Sequence, residues 1–258
     1  MAESAYVFER VDDQRELERL RMIELVFDPA SRKRLLDIGL QVGWRCLEVG
    51  PGAGSIMTWM GEVVGPTGQV VGVDLDPKFL SEVERPNVSV VRADVRTAQL
   101  SQQSFDVVHA RYVLIHLADY EAALTKMLDC LKPGGWLVLE EPDFSASRGI
   151  VGDEHELASV YKVNQAIAKM YATLRVDYAL GLKLPALLQR RGLQDIVVEN
   201  EAPLCAGGSG MAMVMKMSAE HCGRSIWPQE SLARRILSGI ANSPTIRTPG
   251  LFTTPRSP

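Results

Sequence analysis

Residues 45–55, Arg45-Cys46-Leu47-Glu48-Val49-Gly50-Pro51-Gly52-Ala53-Gly54-Ser55, read as a buried strand that runs into a glycine loop and then into a helix. RCLEV is an apolar run of strand length, and Ser55–Val64 has helical texture. The glycines between them let backbone lie directly against a ligand and supply dihedrals that a Cβ forbids. In an open α/β sheet the ligand crevice lies at the carboxyl ends of the strands, where this loop falls.

The alternation continues downstream. The turn Gly65-Pro66-Thr67-Gly68 leads into QVVGVD (69–74), a second strand. Pro77–Glu84 reads as a short helix, VSVVRA (88–93) as a third strand and FDVVHA (105–110) as a fourth. Asp119–Leu131 is an amphipathic helix that Lys132-Pro133-Gly134-Gly135 stops and turns into WLVLEE (136–141), a fifth strand. Near-continuously apolar strands separated by helices imply a parallel sheet covered on both faces, a doubly wound, Rossmann-like α/β fold.

The flanks are helical. Residues 12–27 form an amphipathic helix with Leu17, Leu20, Ile23 and Phe27 at helical spacing, and Asp28-Pro29 is expected to open a second helix ending near Gly39. Helices are also expected over 153–174, about 182–191, and the methionine-rich segment after Gly207-Gly208-Ser209-Gly210. Met211, Met213, Met215 and Met217 of that segment suit either core filling or an adaptable apolar lid. DIVVENEAPL (195–204) reads as an edge strand, and the tail from Ala241, rich in Pro, Thr and Ser, is expected to be partly disordered. The chain thus divides into an N-terminal helical lid (1–40), an α/β ligand-binding core (41–145), a helical cap around the substrate (146–192), and C-terminal edge strands with inserted helices (193–258).

Composition narrows the function. With 258 residues, 46% apolar and 23% charged, the chain supports one large core, which excludes disorder as its main character. A net charge of −4 demotes a nucleic-acid binder, whose phosphate contacts usually leave a basic excess. Cys46, Cys130, Cys205 and Cys222 are scattered without metal-type pairing and read as buried thiols in a reducing cytoplasm. The opening MAESAYVFER lacks the apolar stretch of a signal peptide, and no run of about eighteen apolar residues spans a membrane.

The loop must choose between two ligands. A dinucleotide site wants G-x-G-x-x-G/A, but Ser55 stands at the sixth position from Gly50 and the third glycine, Gly54, comes one place early. Glu48 sets a carboxylate two residues before Gly50, which would repel a pyrophosphate and suits a ligand carrying a cationic amine and a sulfonium.

This strand followed by E-x-G-x-G-x-G resembles motif I of the class I S-adenosylmethionine-dependent methyltransferases. The resemblance implies S-adenosyl-L-methionine as cofactor, bound by Glu48, Gly50, Gly52 and Gly54. It also implies that Asp74, with Leu75 after it, accepts hydrogen bonds from both ribose hydroxyls. Asp94 and Val95 would face the adenine, and the Ala110 and Arg111 backbone would lie near the methionine moiety. The pattern YVFER…RCLEVGPGAG…VVGVDLDP…FDVVHARYVLIHL…LKPGGWLVLEEPDF is similar to bacterial, actinomycete-type small-molecule methyltransferases. It implies a seven-stranded, mostly parallel sheet whose last strand, expected near Thr245–Thr254, is antiparallel.

The implied reaction is methyl transfer to an oxygen, nitrogen or carbon of a small-molecule acceptor, plausibly in bacterial secondary metabolism, leaving S-adenosyl-L-homocysteine. Two alternatives stay open: a quinone or lipid C-methyltransferase, which shares the LxHL-like segment, and a cofactor-binding protein without methyl transfer, such as a repurposed cyclase or a regulatory subunit. His116, just after the fourth strand, is a candidate general base, and a helix-packing histidine reads equally well there. Arg111 and Tyr112 are candidates to bind the acceptor, or to pair with Asp119 and cap the crevice. Glu141 and Asp143 are further crevice acids. Ala110-Arg111 replaces the acid that metal-dependent relatives need after the fourth strand, so no metal is expected. The boxes of adenine and cytosine methyltransferases are missing, so no nucleic acid is expected, nor a membrane partner. A homodimer is compatible with this reading.

Overall fold

In the computed structural model, residues 12–81, 83–201, 203–221, 246–247 and 251–255 are described. The expectation about a leader at residues 1–11, and Cys222, fall outside them.

Five parallel strands form the sheet: β1 (Arg45–Val49), β2 (Gln69–Asp74), β3 (Val88–Arg92), β4 (Phe105–Arg111) and β5 (Leu131–Glu140). Their spatial order is β3-β2-β1-β4-β5, so the chain reverses its direction of winding between β1 and β4. That switch point opens a crevice at the carboxyl ends, where Val49 and Ala110 lie side by side. Beside β5 run two short strands, β6 (Val197–Glu199) and, between it and β5, the backbone of Leu251–Pro255, antiparallel to both. A two-residue pair, Leu204–Cys205 with Ile246–Arg247, stands apart. Part of the tail expected to be disordered is therefore strand.

Helices α1 (Asp13–Asp37) and α2 (Ser55–Val64) cover one face, over a core that includes Leu35, Cys46, Met57, Met60 and Val107. α3 (Tyr120–Cys130) and α5 (Leu180–Arg190) cover the other, with Leu124, Met127, Leu184 and Leu188 against Val108 and Leu137. α4 (Glu154–Thr173) is started by a capping box between Asp153 and Glu156. α6 (Gly210–His221), the methionine-rich segment, packs on α1: a Cβ on Gly210 would come within 2.8 Å of Val26. Cys46 and Cys130 are buried and free. No described helix is long and apolar enough to cross a membrane.

Four local expectations are corrected. The two N-terminal helices are one, with Pro29 inside it. Proline removes one helical hydrogen bond, but Asp28, Ser31 and Arg34 tie this stretch to other elements, and those tertiary bonds override the breaker. Pro77–Glu84 yields only a 3₁₀ turn over Lys78–Leu80. Lys132-Pro133-Gly134-Gly135 does not precede β5 but bulges within it: Leu131 already pairs with Phe105, and pairing resumes at Trp136 with Val107. The edge strand expected over 195–204 shortens to Val197–Glu199.

Candidate functional site

A cavity of about 900 Å³ opens at the carboxyl ends of β1, β2 and β4, under α1 and α6. The loop between β1 and α2 forms its floor. Gly50 adopts φ 64°, and a Cβ there would come 2.5 Å from a methyl of Val113. Gly54 adopts φ 91°, and a Cβ there would come 2.8 Å from Leu80, so the loop turns where only glycine fits. Gly50, Gly52, Asp74, Leu75, Asp94 and Val95 all line the cavity. Gly54 and Ala110 are not among the residues lining it: Gly54 caps α2, and Ala110 is fully buried in the sheet.

The N-terminus of α2 is already occupied. Glu24 of α1 accepts from the Ser55 amide at 3.0 Å, and Asp28 accepts from the Ser55 hydroxyl at 3.0 Å. A pyrophosphate placed on this helix would meet two carboxylates. Asp74 closes β2, its Oδ1 accepting from the Asp76 amide at 2.8 Å, and burial raises its carboxyl above the usual range. Asp94 is held by its own neighbour: Arg96 donates through Nε at 3.0 Å and Nη2 at 2.5 Å, which holds the carboxyl below the usual range.

Glu48 lines the cavity, is 3% exposed, and sets its Oε2 2.7 Å from Nδ1 of His109 on β4. The other ring nitrogen, Nε2, lies 3.0 Å from Glu140 of β5. The Glu48 charge is therefore countered from within the sheet. Arg111 does not pair with Asp119, which instead caps α3; its Nη1 donates to Asp28 at 3.0 Å and to Ser31 at 2.9 Å. Tyr112 takes φ 57° and sets its ring edge-on to Phe27, centroids 5.0 Å apart. Burial raises its hydroxyl far above its ordinary value.

Glu141 and Asp143 are structural acids. Glu141, fully buried, accepts from the amides of Val113, Leu114 and Ile115 at 3.0, 2.7 and 3.1 Å, and so caps the 3₁₀ turn Leu114–His116. Burial pushes its carboxyl up to about 8, against the downward pull of the three amides. Asp143 caps the next short turn through the Ser145 amide at 2.9 Å. His116, presented to the cavity by the Glu141-capped turn, is held down to about 3 by burial and by the charge of Arg19, so its ring is neutral at neutral pH. Glu141→Gln keeps one acceptor oxygen for two of the three amides and turns its amide nitrogen toward the third. It should cost about 1–2 kcal/mol, read as a fall of a few degrees in Tm, and should raise the acceptor KM. An unchanged Tm would refute the capping role.

Much of the remaining wall is apolar. On α1 the buried residues are mostly polar, Glu16, Arg19, Asp28, Ser31 and Arg34, and of these Glu16 and Arg19 also line the cavity. Leu20, Ile23 and Phe27, the apolar stripe of the expected N-terminal lid, stay half-buried because they face the cavity. Met211 and Met215 of α6 and Ile167 and Met170 of α4 join them. Phe144 and Tyr171, ring centroids 5.7 Å apart, complete an aromatic wall that the low aromatic content does not suggest. Among the described residues, no group of three or more His, Cys, Asp and Glu side chains is arranged to hold a metal.

Comparison with known proteins adds the family. Residues 12–198 match a family described as a methyltransferase domain. Demethylmenaquinone methyltransferase of Staphylococcus aureus is 34% identical over 116 residues, 43% of this chain and 48% of that protein. The chain thus spans about half the length of the curated relatives it matches. Among solved structures, phosphoethanolamine N-methyltransferase 2 of Haemonchus contortus in complex with S-adenosyl-L-methionine superposes with a TM-score of 0.60 at 18% identity, over 93% of this chain and 57% of that one. YcgJ of Bacillus subtilis does so with a TM-score of 0.55 at 16% identity, over 87% and 97%. At such identities the likeness is one of fold.

Proposed function

We propose, because the chain belongs to the methyltransferase-domain family, that it methylates a small, largely apolar acceptor held between α1, α4 and α6. It is an S-adenosyl-L-methionine-dependent methyltransferase, and its own residues fit that cofactor better than a dinucleotide, since the α2 N-terminus is capped by Glu24. When bound, the cofactor supplies a methyl group already activated by its sulfonium. On our reading, Asp74 takes the ribose hydroxyls in fork geometry, and Gly50 and Gly52 offer bare backbone to the methionine moiety. Asp94 and Val95 take the adenine, with Arg96 yielding part of its hold on Asp94. Leu75 packs beside the nucleoside. Residues 1–40 and 146–192 act as lid and cap, and the sheet is the seven-stranded form completed beyond β5.

The observation that carries the acceptor reading is the reversed face of α1. Its apolar stripe lines an open cavity instead of the core, a surface that gains from burial only when an apolar ligand enters. The 34% identity to a demethylmenaquinone methyltransferase favours a quinol-like acceptor. His116, neutral, accepts a hydrogen bond from the acceptor hydroxyl, and Tyr112 and Arg111 shape the wall beside it. Holding two substrates in line supplies ~7–11 kcal/mol, more than a base this weak contributes, so His116→Ala should lower kcat/KM far less than displacing α1 would.

The test uses the full chain with methyl-labelled cofactor and three acceptor types: reduced naphthoquinones, simple phenols, and phosphoethanolamine. Label should pass to a quinol or phenol. Transfer to the charged amine alone would overturn the apolar-acceptor reading.

A further inference from the structure

The upper rungs of the central strands carry charge where the lower rungs carry core. On β1 the face toward α1 runs Cys46 then Glu48; on β4 it runs Val107, His109, Arg111; on β5 it runs Trp136, Val138, Glu140. His109 is wholly enclosed, and each ring nitrogen lies within 3.0 Å of a carboxylate oxygen, Glu48 on one side and Glu140 on the other. A neutral imidazole has one N–H, so one nitrogen would turn its lone pair onto a carboxylate; the imidazolium donates to both. The chain of bonds continues outward. Ser31 donates to the second oxygen of Glu140 at 2.8 Å and accepts from Arg111, Arg111 also donates to Asp28, and Asp28 accepts from Ser55 at the head of α2.

We propose that His109 is a positioning residue for the cofactor site: as an imidazolium it fixes Glu48 beneath the glycine loop and, through Glu140 and Ser31, clamps α1 over the cavity. This rests on the reading of that loop as the cofactor site. Loss of one proton leaves Glu48 and Glu140 with Arg111 as the nearest cation, and Arg111 is shared with Asp28, whose other oxygen is held by Arg32. The charged and titratable groups around His109 are Glu48 from β1, Arg111 from its own strand, Glu140 from β5 and, from α1, Asp28, Arg32 on the far oxygen of Asp28, and Arg34, which is turned outward to Glu199 and Glu201; the Tyr112 hydroxyl, raised by burial, adds no charge. Cys46 lies one rung below on β1, its thiol raised by burial and so neutral.

Burial alone would lower the His109 pKa, but the carboxylates, Glu48 foremost, hold it up to about 9. Burial likewise opposes ionisation of Glu140, yet His109, Arg111 and Ser31 keep that carboxyl below its usual range. Because the folded value exceeds the ordinary 6.5, the stabilisation is complete below about pH 6.5 and is lost as pH rises through about 9.

The experiment titrates the full chain with S-adenosyl-L-homocysteine from pH 6.5 to 10, beside His109→Gln, which keeps size and loses the titration. The variant also subtracts the ligand's own amine. Wild-type affinity should fall about tenfold per pH unit above the midpoint relative to the variant, and the variant should bind roughly tenfold more weakly at pH 7.5. Nitrogen-15 spectra of the wild-type histidines, assigned by replacing His116, His155 and His221 singly, test the protonation even where His109→Gln fails to fold. One ring should remain an imidazolium at pH 8. A His109 ring that deprotonates near pH 6.5, or wild-type and variant affinities that run parallel to pH 10, would overturn the proposal. No binding by folded wild-type chain at any pH would instead overturn the cofactor-site reading beneath it.

Discussion

Asp74→Ala should weaken S-adenosyl-L-homocysteine binding by roughly a hundredfold to ten-thousandfold while leaving the fold intact. A carboxylate accepting two hydroxyl donors makes two charge-assisted bonds, each worth about 1.5–3 kcal/mol, and about 1.4 kcal/mol is a factor of ten. Within the protein Asp74 accepts from the amides of Asp76, Gly52 and Leu75, residues at the edge of the cavity and none of them buried, so its loss strands no deeply buried donor and Tm should barely move. Asp76→Ala is the control. Asp76 is exposed, and its ion pairs with Lys78 at 3.6 Å and Arg92 at 3.5 Å are long, so affinity should stay within a few-fold. Burial raises the Asp74 carboxyl, so wild-type affinity should start to fall on the acid side at a higher pH than an ordinary aspartate would give. Calorimetry of the two variants decides. Equal affinity for Asp74→Ala and wild type would remove the ribose role.

The parts of this site visible in the sequence are those where backbone geometry dictates the residue. Gly50 and Gly54 are legible because a positive φ with a neighbour inside 3 Å admits no side chain, and β1, β2 and β4 are legible because strands buried on both faces must be apolar. What escaped was set by tertiary partners. Pro29 looks like a helix start until Asp28 and Ser31 find Arg111 and Glu140. Leu20, Ile23 and Phe27 are legible as one apolar face, but periodicity does not say whether protein or ligand meets it. His109 and Arg111 carry a sequence signal of a different kind. They alternate on one face of an otherwise apolar strand, in the register that sets Glu48 beside His109. Charges at period two inside a buried strand need opposite charges across it, and β1 and β5 supply them.

That layer yields the second large effect. Arg111→Ala should destabilise the fold by about 3 kcal/mol or more, a fall in Tm on the order of ten degrees, whereas cutting the exposed Lys33–Asp37 pair should leave Tm unmoved. Arg111 and Asp28 are only 10% and 11% exposed in their side chains, so removing the guanidinium leaves a carboxylate with little water. Arg32, 3.2 Å from the other oxygen of Asp28, and the Ser55 hydroxyl offset part of the loss, which places it at the low end for a broken buried pair. Asp28→Asn should therefore rescue much of the stability of Arg111→Ala, because it removes the stranded charge and keeps the shape. The double variant separates two roles that the sequence leaves merged at this position. A clamp predicts that Tm recovers together with cofactor affinity. Should Arg111→Ala melt like the wild type and lose only acceptor turnover, Arg111 acts on the substrate, and α1 is held by other contacts.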